Sequence, residues 1–143
     1  MAEGDAHVLN NFKEQLLLKT IDCNTDVFKV ALYSDAYAAN MIDGADPAYS
    51  ASNEINPANY IAGGQSIGTP VVSQDDTNDW AKWDDDGTDV SWSNLGTATI
   101  QRAVLYDDTT TPKWQCIIWE IATNSNGGNY TLQFNTNGML TLA

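Results

Sequence analysis

His7 is the only histidine in the chain, so any Ser-His-Asp or Cys-His centre would have to be built on it. A general base needs packed, oriented surroundings, and residue 7 lies close to the N-terminus, so no catalytic centre is expected there. Zinc would have to use His7 with the widely separated Cys23 and Cys116, and no short ligand pair is present to nucleate such a site. The cysteines are expected to be buried free thiols rather than a disulfide scaffold. The densest group of chemistry-bearing side chains is acidic: Asp75, Asp76, Asp79, Asp84, Asp85, Asp86 and Asp89 surround Trp80 and Trp83. Asp84-Asp85-Asp86-Gly87-Thr88-Asp89 begins like a calcium loop but lacks the later acid that closes one, and no helices flank it. Turn-forming aspartates in solvent account for it better than a cation. Carboxylate pairs suited to glycoside hydrolysis can be drawn from any acidic protein and carry no weight here. Gly63-Gly64 is not followed by Gly-Lys-Ser/Thr and is read as a turn, not a phosphate loop. The expectation is therefore no enzyme, no metal and no cofactor.

Nineteen acidic residues against six basic ones give a formal net charge of −13. The cations Lys13, Lys19, Lys29, Lys82, Arg102 and Lys113 are scattered singly, which argues against direct nucleic-acid binding. An acidic surface favours solubility and docking on a basic protein partner. No signal peptide and no membrane span are expected, because the N-terminal residues are polar and the apolar runs are short. Five tryptophans (Trp80, Trp83, Trp92, Trp114, Trp119) admit a second possibility, a carbohydrate-binding module in which exposed rings stack on sugars. Core packing is expected to account for most of them.

The elements that must position these residues are mostly strands. Val8, Leu9, Phe12, Leu16 and Leu17 have the spacing of a short helix within 8–19. Val27–Tyr33 reads as a strand, and residues 35–57 as a long surface loop. Further strands are expected at Tyr60–Ala62, Ser66–Ser73, Trp80–Asp84, Val90–Ser93, Thr97–Tyr106, Trp114–Ile121, Tyr130–Phe134 and Leu140–Leu142. Turn chemistry separates them at Gly63-Gly64, Asp86-Gly87, Asn94-Leu95-Gly96, Asn126-Gly127-Gly128 and Asn137-Gly138. The fold class is all-β: a β-sandwich or jelly-roll-like barrel with a short N-terminal helix and a long loop. One domain is expected over residues 1–143, with 1–20 as a helical arm and 27–143 as the sandwich.

The ordered segments Leu9-Asn10-Asn11-Phe12, Thr25–Tyr33, Asn53-Glu54-Ile55, Asn59–Gly64, Val90-Ser91-Trp92, Ala103–Tyr106 and Asn137–Leu142 together resemble small structural proteins of tailed bacteriophages. The resemblance spans nearly the whole chain and implies a virion protein without enzymatic activity, plausible as a capsid decoration or cement protein. Its implied partner is the major capsid protein, its location the capsid surface after synthesis in the bacterial cytoplasm. A homo-oligomer such as a trimer would suit bridging between capsomers. The alternative is a tail-associated or carbohydrate-binding receptor-recognition module. Interface candidates are Leu9, Phe12 and Leu16 on the arm, with Tyr33, Tyr37, Tyr49 and Tyr60 as aromatic anchors. On this reading, deleting residues 1–20 weakens attachment more than it disturbs the β fold.

Overall fold

The computed structural model describes residues 5–34 and 48–143. Its elements are β1 (Ala6–Val8), α1 (Asn10–Leu17), β2 (Phe28–Tyr33), β3 (Gln65–Ser66), β4 (Val71–Asp75) and β5 (Trp80–Asp84). There follow β6 (Val90–Trp92), β7 (Ala98–Asp107), β8 (Gln115–Ser125), β9 (Tyr130–Leu132) and β10 (Leu140–Leu142). The fold is all-β. A five-stranded sheet has the order β1-β8-β7-β2-β3, a three-stranded sheet the order β10-β5-β4, and β6 pairs with β9. Every pairing is antiparallel.

β2, β7 and β8 form the centre of the large sheet and carry near-continuous buried runs. Such runs mean that both faces of the sheet are covered. Register places Phe28, Val30 and Leu32 beside Asp107, Leu105 and Ala103, and the last two beside Ile117 and Trp119. Against this face lie Trp83 of β5, 4.9 Å from the Phe28 ring, and Phe12 of α1, 5.6 Å from the Trp83 ring. The opposite face carries Tyr33 and Tyr106 and is covered by the chain after residue 48. Tyr49 stacks on Tyr106 at 4.3 Å, and the Tyr33 hydroxyl donates to the Ser50 carbonyl at 2.6 Å. The two coverings make the arrangement sandwich-like around one contiguous core.

The N-terminal segment departs from the expected arm. Ala6–Val8 is a strand hydrogen-bonded to β8, which delays the helix to Asn10. Leu9 and Phe12 are fully inside the core, so residues 6–12 are part of the fold and not a detachable arm. The helix ends where Lys19 turns left-handed (φ 58°), and this leaves Leu17 and Leu18 facing water. The expected strand Ser66–Ser73 is broken between β3 and β4, because Gly68 has φ +80° and Pro70 offers no N–H to a ladder. Tyr60–Ala62 is not a strand either: it enters a turn at Gly63-Gly64. That turn lies hard against β2, where a Cβ on Gly64 would sit 1.8 Å from the Val30 carbonyl oxygen. Of the expected loop, the part from 48 to 57 is tied to the sheet. Tyr49 N–H donates to Lys113 O, Ile55 N–H to Leu32 O, and Ala48 bridges Trp114. Tyr37 and the rest of 35–47 lie outside the described residues.

Candidate docking face and aromatic cleft

The helix end and the small sheet together expose apolar surface. Leu17 is 86% exposed and Leu142 60% exposed, and Val72 is open on β4. Two adjoining hollows of about 470 and 310 Å³ share Leu16, Leu17, Leu140 and Leu142, and continue to Val8 on one side and Val72 on the other. Register explains the alignment. Leu140 and Val72 both lie opposite Trp83, so one apolar row crosses β10, β5 and β4, and its centre is buried under Phe12. Its two ends are left open beside Leu16 and Leu17. Lys13 lines one hollow and Lys82, paired with Asp84, the other, on a chain of net charge −13. Among the described residues β4 and β10 each pair only with β5 and are edges of their sheet. An open edge beside apolar surface offers backbone hydrogen bonds to another chain.

A second concavity, of about 460 Å³, shares no lining residue with the groove. Trp119 of β8 and Phe134 after β9 form its aromatic wall, their ring centroids 5.4 Å apart at 46°. Ile121, Leu132 and Met139 complete the apolar lining, and Gln133 and Asn135 stand exposed at its rim. The pairing of β7 with β8 is irregular between Ile100 and Arg102, where Ala122 has φ +50°. A bulge of this kind redirects neighbouring side chains, here Ile121 at the cleft. Glu120, largely buried in the same lining, is held by Arg102 Nε at 3.0 Å and by the Gln101 amide. Gln133 Nε2 donates to Asp89 at 2.9 Å, and Asn135 Oδ1 accepts from Asn137 N–H at 2.9 Å.

The residues expected to mediate contact divide sharply. Leu9, Phe12 and Tyr33 are fully buried and Tyr60 nearly so, because each fills the core. The surface role assigned to those four is thereby corrected to an internal one. Tyr60 accepts from Leu32 N–H at 3.0 Å and donates to Glu54, which also accepts from Gly63 N–H and the Tyr49 hydroxyl. Burial pushes the Glu54 carboxyl up, opposed by these donors. Tyr49 is half-buried in that network, and Leu16 alone of the named candidates borders the apolar groove.

The acidic stretch is turn chemistry. Asp75 Oδ1 accepts from Thr77 and Asn78 N–H, Asp85 Oδ1 from Gly87 N–H, and Asp86 Oδ1 from Thr88 N–H. Asp84 pairs with Lys82 at 2.8 Å. Among the described residues no group of three or more His, Cys, Asp and Glu is arranged to hold a metal ion, and no helix is long and apolar enough to cross a membrane. His7 lies in β1 opposite Ile118, and both cysteines are free, Cys116 buried and Cys23 half-buried. Trp83 and Trp92 are core residues, whereas Trp119 reaches a cleft.

Sequence reasoning missed Leu17, Leu142 and Val72 as a surface. The one available signal was the unbroken Leu16-Leu17-Leu18, since a helix cannot bury three consecutive residues on one stripe. Comparison with known protein families, with curated proteins and with solved structures finds no match to this chain.

Proposed function

We propose that the chain is a virion structural protein of a tailed bacteriophage, a capsid decoration or cement protein that attaches to the major capsid protein. The observation that carries this reading is the open apolar face of α1, β10 and β4, with Leu17 and Leu142 at its centre. Apolar surface contiguous with two open strand edges is costly to leave in water and marks a protein contact. Lys13 at its rim suits a partner surface that sets a carboxylate beside an apolar ridge. The acidic remainder of the surface keeps unbound copies apart. Bridging between capsid subunits follows when several weak attachments act together, as a trimer would provide.

Co-sedimentation with phage heads lacking the protein tests the reading, with soluble oligomer mass recorded alongside. The wild type should bind saturably. Leu17→Glu and Leu142→Glu should each weaken binding about tenfold or more, the value of losing one buried leucine contact. Ile61→Glu, at an exposed apolar residue outside the groove, should bind as wild type. Absence of saturable binding, or Glu variants that bind normally, would overturn the proposal.

A further inference from the structure

We infer that the Trp119–Phe134 cleft is a binding site for a neutral saccharide of one or two hexose units. This does not depend on capsid attachment, since cleft and groove have no residue in common. Three observations converge. The aromatic wall is half-exposed and not sealed in the core, so a flat apolar ring face remains available to the C–H face of a pyranose. The rim carries an acceptor and a donor: Gln133 keeps its Oε1 and Asn135 its Nδ2 after their hydrogen bonds to Asp89 and Asn137. Sugar hydroxyls both donate and accept, so this pair of amides matches them. The volume of about 460 Å³ is that of a small-molecule site and not of a packing flaw.

Electrostatics selects the class of sugar. Among the described residues no lysine or arginine lines the cleft, Glu120 in its lining is already paired with Arg102, and Asp89 is bonded to Gln133 at its rim. An anionic sugar would meet the Asp89 carboxylate at the rim with no lining cation to offset it.

The test is titration of the intact protein with maltose, cellobiose, lactose and diacetylchitobiose, followed by tryptophan fluorescence and amide NMR shifts, with sialyllactose as the anionic arm. At least one neutral disaccharide should bind saturably and shift the Gln133 and Asn135 signals. Trp119→Ala should weaken it by about tenfold or more. Gln133→Ala, at an exposed position that leaves the core intact, should weaken it several-fold and keeps the test informative if the tryptophan variant misfolds. No saturable binding of any neutral sugar, equal binding of sialyllactose, or a Gln133→Ala variant that binds as wild type would overturn the inference.

Discussion

Asp107 offers a quantitative test of the core. It ends β7 with no solvent exposure, its Oδ1 accepting from Thr109 N–H at 2.7 Å and Thr110 N–H at 3.2 Å, its Oδ2 without a hydrogen-bond partner. Burial pushes its carboxyl up to about 6, helped by repulsion from Asp26 and opposed by the two N–H donors. Relative to an ordinary value of 3.8 the rise is roughly two units, which at ~1.36 kcal/mol per unit sets a ceiling of ~3 kcal/mol. The neighbouring Asp26 is half-exposed, so solvent screening brings the figure to about 1–2 kcal/mol. The folded protein holds a proton that the unfolded chain has released between about pH 4 and pH 6, so stability falls as pH rises through that window. Asp107→Asn keeps the Oδ1 acceptor and removes the charge. Its stability should equal that of the wild type near pH 4 and exceed it by about 1–2 kcal/mol at pH 7 to 8. Urea unfolding followed by tryptophan fluorescence across this range measures the difference. Asp22, Asp75 and Asp86, whose carboxyls are held low by local hydrogen bonds, tilt both proteins equally and cancel. A difference that does not change with pH, or one that shrinks as pH rises, would refute the reasoning.

Three further outcomes follow from the packing. Gly64→Ala should abolish soluble folded protein, since its Cβ would meet the Val30 backbone at 1.8 Å; Gly87→Ala, with an open surround, should cost only about 1–2 kcal/mol of backbone strain by thermal melting. Tyr60→Phe removes a hydroxyl that accepts from Leu32 N–H and donates to Glu54, and should cost about 1–3 kcal/mol in denaturant unfolding with an unchanged m-value. Deleting residues 1–20 should leave no cooperative unfolding transition, because it removes β1 and Phe12, whose truncation alone is worth about 3–5 kcal/mol. A truncated protein with native amide dispersion would restore the detachable arm.

Much of the sheet was legible because local chemistry and tertiary structure agree in it. Thr97–Tyr106 and Trp114–Ile121 carry strand residues and lie between strong turn signals, and β7 and β8 occupy nearly those positions. Leu140–Leu142 and Trp80–Asp84 match their strands residue for residue. The N-terminus was misread because Ala6-His7-Val8 has no strand signature of its own; its conformation comes from the free edge of β8. Tyr33 and Tyr60 were taken for surface anchors because a tyrosine can present its hydroxyl to water or to a buried acceptor. Here Ser50 O and Glu54 supply those acceptors from elsewhere in the chain. The cleft was half visible: tryptophans suggested sugar binding, but only the meeting of Trp119 with Phe134 singles one out.

The position of β1 has a consequence for synthesis. Ala6 faces Trp119, so β1 leaves the ribosome well before its partner, which is made 113 residues later. At ordinary elongation rates that interval is roughly 6–23 s. During it Val8, Leu9 and Phe12 are without their native cover, and the sheet cannot close from its N-terminal end. Pairing of β1 therefore follows synthesis of β8, which makes the nascent chain dependent on whatever shields those apolar residues in the meantime.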